Sequence, residues 1–149
     1  MVQIAVSAEV ELQVAFGDVD MMAIVWHGHY VRYFEAARNA LLDRIGYNVE
    51  TMRAFGHEWP VVDLRIRYAL PARFNQRLIA RAELVEWLHR LRIRYTVSDA
   101  DSGTRLTRGH TDQAAVDMAT GRLCMNTPDI LRERLAPWLA PPASGDPCS

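Results

Sequence analysis

The chain has 149 residues, 50% of them hydrophobic and 23% charged, which fits one globular domain large enough to bury a real core. The formal net charge is −1, so no global field favours nucleic acid or an anionic membrane. No stretch approaches the ~20 apolar residues a membrane-spanning helix needs, and Met1 to Ser7 lacks the basic and apolar regions of a signal peptide. The two cysteines, Cys124 and Cys148, have no metal-type spacing. A soluble protein in the reducing cytoplasm is therefore the expectation. Every basic residue among the 17 is arginine, a side chain that grips phosphate and carboxylate bidentately, so local anion sites are possible despite the balanced charge.

Glu9 to Phe16 alternates polar and apolar residues, the period of a half-buried strand. From about His29 the period changes. Tyr30, Phe34, Ala37, Leu41 and Ile45 share one helical face, and Gly46 follows as a C-terminal glycine should. Asn48 to Gly56 reads as a short helical turn. Trp59 to Tyr68 reads as a strand that Pro71 breaks, and residues 76–88 as another. His89 and Arg90 make a tight connection to the clearest alternation of the chain, Leu91, Ile93, Tyr95 and Val97 against Arg92, Arg94, Thr96 and Ser98. A turn at Asp99 to Gly103 leads into a strand from Thr104 to Met118. Thr127 and Pro128 form a helix start, with the hydroxyl as cap, for Asp129 to Leu139. Residues 1–140 form the single domain and 141–149, rich in proline and small residues, a disordered tail. The order predicts an α+β fold, one antiparallel sheet with a long helix on one face. A sheet so built has edges and a second face to cover, which predicts a homo-oligomer.

The chemistry concentrates between Phe16 and Leu42. Two acids, Asp18 and Asp20, sit in a turn. A short apolar run, Met21 to Trp26, comes next, then His27 and His29 around Gly28, and then the long helix. A carboxylate and an imidazole just ahead of a helix N-terminus suit hydrolysis, because the peptide dipoles there favour developing negative charge. Asp18 reads as a solvated turn residue, His29 as structural or exposed, and Met21 with Met22 as core filler rather than pocket wall.

Gln13 and Val14, Val19 and Asp20, the run Ala23-Ile24-Val25-Trp26-His27, and Tyr30 together resemble the 4-hydroxybenzoyl-CoA thioesterase family. Within it they are most similar to the YbgC-like acyl-CoA thioesterases of the hot-dog fold. The helix text from Tyr30 to Arg38 and the later Val62 to Ala72 share the resemblance, which covers roughly residues 9–136. It implies a five-stranded antiparallel sheet wrapped around a long central helix, in protomers that pair as a homodimer or homotetramer. It implies an acyl-CoA substrate, with coenzyme A entering as part of the substrate and no other cofactor. Asp20 matches the family's catalytic aspartate, as nucleophile or general base, and His27 the histidine of the YbgC-like branch. Tyr30 matches the aromatic at the helix start, mainly a packing position. Trp26, Tyr30 and Arg90 complete the expected substrate contacts. Three positions depart from the pattern: Val19 stands for the usual Thr, Ala23 for Gly, and Phe74-Asn75-Gln76 for Tyr-Gly-Asp.

His89, Arg90, Arg92 and Arg94 present a basic edge that would meet coenzyme A phosphates or, with a carrier-bound substrate, the acidic helix of an acyl carrier protein. A non-catalytic acyl-CoA-binding protein is the rival from another class. Three-ligand metal spacing and a glycine-rich phosphate loop are absent, so no metal is expected. His57 stays unassigned, and His110 with Asp112 is a two-residue step on one strand face.

Overall fold

In a computed structural model describing residues 5–139, the clearest alternation of the sequence becomes the middle strand of a five-stranded antiparallel sheet. The strands are β1 (Ser7–Gln13), β3 (Val61–Tyr68), β4 (Arg77–Glu86), β5 (Leu91–Asp99) and β6 (Arg105–Gln113), in spatial order β1-β4-β5-β6-β3. The long helix α1 (Tyr30–Arg44) lies across one face, against β1, β4 and β5. A short helix α2 (Val49–Ala54), a two-stranded ribbon of β2 (His57–Glu58) with β7 (Val116–Asp117), and α3 (Asp129–Leu135) complete the fold. The α+β architecture with one helix on one antiparallel sheet is as expected. Among the described residues no helix is long and apolar enough to cross a membrane. The tail at 141–149 lies outside the described residues.

Packing follows from the alternation. Leu91, Ile93, Tyr95 and Val97 of β5 and Leu78, Ala80, Ala82 and Leu84 of β4 are buried on the helix side. The two alanines keep that face low where α1 crosses it. On the helix, Tyr30, Phe34, Ala37, Leu41 and Ile45 are all buried, as the helical period predicts. Phe34 stacks flat on Tyr95, with ring centroids 4.5 Å apart and planes 5° from parallel. The helix can come this close because β6 carries Gly109 beneath it. A Cβ there would sit 2.8 Å from the Phe34 ring and would clash with the Arg65 carbonyl.

Four expectations change in detail. The first strand ends at Gln13 and the chain turns through a 3-10 turn at Phe16–Asp18, because the Asp18 carboxylate draws in the Ala15 amide at 2.9 Å. The expected strand from Thr104 to Met118 breaks after Gln113. Its far end leaves the main sheet to pair as β7 with β2. Thr127 does not cap α3: its hydroxyl donates to the Trp87 and Leu88 carbonyls, and Pro128 takes the cap position without a side-chain hydrogen bond. Met21 and Met22 are not core filler, since both are largely exposed. The α2 and α1 ends are as read. The Asn48 side chain caps α2 through the Thr51 amide at 3.0 Å, and Gly46 follows α1 with φ of 72°.

On the solvent face, Asp112 is only 2% exposed and accepts two hydrogen bonds from Arg92, at 2.6 and 2.8 Å. Those bonds hold its carboxyl below the ordinary range against the opposing effect of burial. The folded state thus binds fewer protons here than the unfolded chain. The stability it contributes is complete above the unfolded carboxyl value near 4 and disappears as pH falls through the lower folded one.

Two stability predictions follow from this packing. Gly109→Ala should lower the urea midpoint by the equivalent of about 2 kcal/mol through overpacking, and an unchanged midpoint would mean that Phe34 and β6 are not in close register. Asp112→Asn should cost roughly 2 kcal/mol at neutral pH and flatten the acid limb of the stability curve. An acid limb identical to the parent's would contradict the ion-pair assignment.

Candidate active site

The segment ahead of α1 is held by backbone pairing on both sides. Val19 bridges Val25, Asp20 N–H donates to Ile24 at 2.9 Å, and Ala23 N–H returns to the Asp20 carbonyl at 3.0 Å. This closes a tight turn in which Ala23 adopts φ of 61°. That left-handed conformation favours glycine, which accounts for the glycine usual at this place in the family pattern. The turn is pinned to the segment between β3 and β4 through Ile24 and Arg73 and through Val25 N–H to the Ala72 carbonyl at 2.9 Å.

Asp20 is exposed at the tip of this turn. Its Oδ1 accepts the Met22 amide at 2.8 Å, and no partner takes Oδ2 among the described residues. It borders a cleft of about 350 Å³ walled by Ile24, Val25, His27, Tyr30, Tyr68 and Leu70. The walls are largely apolar, and α1 contributes its first residue, Tyr30, to them. No side chain caps that end of the helix; Arg32 N–H donates to the His29 carbonyl at 2.9 Å, and the Tyr30 and Val31 amides take no partner among the described residues. His27 projects an exposed ring, while its carbonyl accepts the Tyr68 hydroxyl and ties the histidine to the end of β3. Tyr30 is buried, and its hydroxyl accepts the Ala72 amide at 3.1 Å. The cleft thus brings together Asp20, His27 and Tyr30.

Two expected contacts lie elsewhere. The Trp26 ring is half exposed, 5.0 Å from the His27 ring, and covers Gly28, where a Cβ would meet it at 2.5 Å. It does not border the cleft. Arg90 sits in the β4–β5 connection, paired with Glu86 at 3.1 Å and Asp112 at 3.2 Å. Its neighbours in the basic edge are neutralised as well, Arg92 by Asp112 and Arg94 by Glu83 at 3.2 Å.

Asp18 departs from the solvated turn residue expected of it. This acid is not solvated: its side chain is 14% exposed and accepts from Ala15 N–H, from the Tyr33 hydroxyl at 2.9 Å and from His29 Nε2 at 2.8 Å. Burial, and then the hydrogen bond to Asp18, push the Tyr33 phenol well above its ordinary pKa, so it stays a donor. The signal was present in the spacing, since His29 and Tyr33 stand four apart and share a helical side. The departures at 74–76 also find structural roles. Asn75 takes φ of 68°, which asparagine tolerates, and Gln76 binds the Arg73 amide at 2.8 Å and Asp99 at 2.9 Å. With Gln76 and the Ser102 amide as donors, the Asp99 carboxyl falls to about 2.

Asp63, His110 and Asp112 place three ligand atoms within 4.8 Å of one another. Arg92 already occupies both Asp112 oxygens and Arg90 adds a second guanidinium, so a metal ion would meet two resident cations there.

The sequence profile of the Thioesterase-like superfamily matches residues 14–139. The Thermus thermophilus protein TT1821 is 31% identical, with a TM-score of 0.77 over 88% of this chain and 98% of that one. Two further structures share the fold at lower identity. Slr0204, a 1,4-dihydroxy-2-naphthoyl-CoA thioesterase from Synechocystis, is 20% identical with a TM-score of 0.77, over 87% of this chain and 96% of that one. A 4-hydroxybenzoyl-CoA thioesterase, solved as a variant with 4-hydroxybenzoyl-CoA, is 21% identical with a TM-score of 0.75, over 87% and 98%. The architecture is the hot-dog fold of these neighbours, and the chain belongs to the Thioesterase-like superfamily.

Proposed function

We propose that the protein is an acyl-CoA thioesterase that hydrolyses the thioester to a free acid and coenzyme A, with Asp20 as the reacting carboxylate. The observation that carries this reading is one cleft that holds the unpartnered Asp20 Oδ2 and the uncapped start of α1 between apolar walls. Family membership agrees with it, as do the acyl-CoA substrates named for the neighbours of the same fold.

In this mechanism the thioester carbonyl lies over the first turn of α1. Asp20 attacks the carbonyl carbon, or takes a proton from a water that does. The oxyanion that forms faces amides already oriented by the helix, so little reorganisation is required. Collapse expels the coenzyme A thiolate, which needs no strong acid to leave. Along the nucleophilic route water then cleaves the Asp20 acyl anhydride. His27, at the cleft mouth, orients the water or assists proton transfer. Tyr30 and Tyr68 shape the acyl channel, and Trp26, beside His27 and outside the cleft, meets the substrate beyond its mouth. Arg90 serves the coenzyme A phosphates when an incoming phosphate displaces one of its carboxylate partners.

We further propose that it works in the cytoplasm as a homodimer or homotetramer. The edge strand β3 leaves one side unpaired in the sheet and exposes Val62, Leu64 and Tyr68, a combination that a second copy would cover.

Release of free thiol from short, long and aromatic acyl-CoAs tests the reaction. Asp20→Asn should reduce kcat by at least about 100-fold and leave the melting temperature unchanged, because its exposed carboxylate holds only one local amide. Parental turnover by that variant would remove Asp20 from the chemistry. Asp18→Ala should behave differently. It should lower the melting temperature by roughly 5 °C and reduce kcat through loss of position, and normal stability in that variant would dismiss the Asp18 network as a support.

A further inference from the structure

Among the described residues His27 makes one hydrogen bond. Its ring is exposed and its amide donates to nothing, so the carbonyl alone is tied, and its partner is the Tyr68 hydroxyl. The residues on either side are held independently. Trp26 N–H donates to the Asp18 carbonyl at 2.9 Å and His29 N–H to the Trp26 carbonyl at 2.8 Å, while the His29 ring reaches Asp18 at 2.8 Å. His27 therefore stands at the crest of a turn whose two feet are fixed. Tyr68 is itself well seated. It closes β3 opposite Thr107, and the next two amides, Ala69 and Leu70, both donate to the Leu106 carbonyl at 3.0 Å. Its ring packs edge-on against Tyr30, with centroids 5.4 Å apart and planes at 70°. Burial, and then the Tyr30 phenol, raise the Tyr68 pKa, so its hydroxyl remains protonated and able to donate.

We propose that Tyr68 is a positioning residue: its hydroxyl, by holding the His27 carbonyl, sets where the His27 imidazole stands beside Asp20. The inference rests on the thioesterase reading and adds the group that places its histidine. Three features of the turn make such a tie necessary. The residue after His27 is Gly28, whose backbone has more freedom than any other residue would have there. The peptide that joins the two is planar, so fixing its carbonyl restrains both the His27 ψ and the Gly28 φ. The exposed imidazole has only the Trp26 ring beside it, at 5.0 Å and tilted by 49°, which leaves its place to the backbone. On the far side the Trp26 ring covers Gly28, where a Cβ would meet it at 2.5 Å. The crest is thus gripped between an indole of its own segment and a phenol of the sheet. The sheet supplies only the phenol, and Asp20, Tyr30 and Tyr68 wall the same cleft. A reacting group must be held close to its working geometry, and small displacements cost rate out of proportion. Tyr68 accordingly has two separable parts: the ring walls the cleft, and the hydroxyl holds the histidine.

The test measures kcat and KM separately, on the acyl-CoA that the parent hydrolyses fastest, for Tyr68→Phe, His27→Ala and the double variant. Tyr68→Phe keeps the ring and loses the hydroxyl. It should lower kcat roughly 3- to 10-fold, the effect of one hydrogen bond, and leave KM within about twofold. Its melting temperature should stay within about 3 °C of the parent's. In the His27→Ala background the same substitution should cost less than about twofold, because a group that acts through another contributes little once that other is gone. A raised KM with kcat unchanged, or an equal loss in both backgrounds, would make the hydroxyl a substrate contact and overturn the proposal. An unchanged kcat would overturn it as well. If the parent hydrolyses no thioester, the thioesterase reading fails on its own. The positioning is then read by NMR from the His27 ring signals, identified by their absence in His27→Ala. They should move in Tyr68→Phe while the His89 ring signals stay in place, and unmoved His27 signals would contradict the tie.

Discussion

The contact of Phe34 with Tyr95 and Gly109 sets how deeply α1 lies in the sheet, and the position of everything at its N-terminal end follows. A helix whose buried side carries Tyr30, Tyr33 and Phe34 needs a low floor. Ala80 and Ala82 on β4 and Gly109 on β6 provide it, and the flat ring stack then fixes the helix along its axis. Because cores are close-packed, such a contact has few alternative arrangements. The first turn of α1 is therefore a fixed point, from which Tyr30 reaches the Ala72 amide and the segment between β3 and β4.

The two acids of the turn divide the work by burial. Asp18, mostly removed from water, satisfies its oxygens with three donors and clamps the entry of the segment to the helix through His29 and Tyr33. Asp20, two residues on, has one local amide partner and, among the described residues, one free oxygen. A fully partnered carboxylate is a good anchor and a poor nucleophile, whereas a half-partnered one beside uncapped helix amides can react. The left-handed Ala23 is the strain that accompanies this placement, since the tight reversal closes through Ala23 N–H on the Asp20 carbonyl.

Periodicity alone made α1 and β5 legible, because each buries one face against one neighbour and its apolar residues recur at one period. The family resemblance placed Asp20 and His27, which the cleft does bring together with Tyr30. Other features depended on partners distant in sequence. Nothing local in Thr104 to Met118 marks Gln113 as the last residue of the main sheet, because the break reflects pairing with β2. Asp18 reads as solvated until the helix folds His29 and Tyr33 onto it. The arginines show the same limit: Arg90, Arg92 and Arg94 look like a free basic edge until Asp112 and Glu83 appear opposite them. Arg65 and Arg67, which sit beside Asp63 in the sequence, carry no ion pair among the described residues.

The most direct test is the structure of the Asp20→Asn protein with an intact acyl-CoA bound. The thioester carbonyl carbon should lie within ~3.5 Å of the side chain at position 20. Its oxygen should accept from the first-turn amides of α1, with the acyl group passing between Tyr30 and Tyr68. A thioester bound away from that cleft, or a carbonyl oxygen turned from the helix start, would contradict that placement.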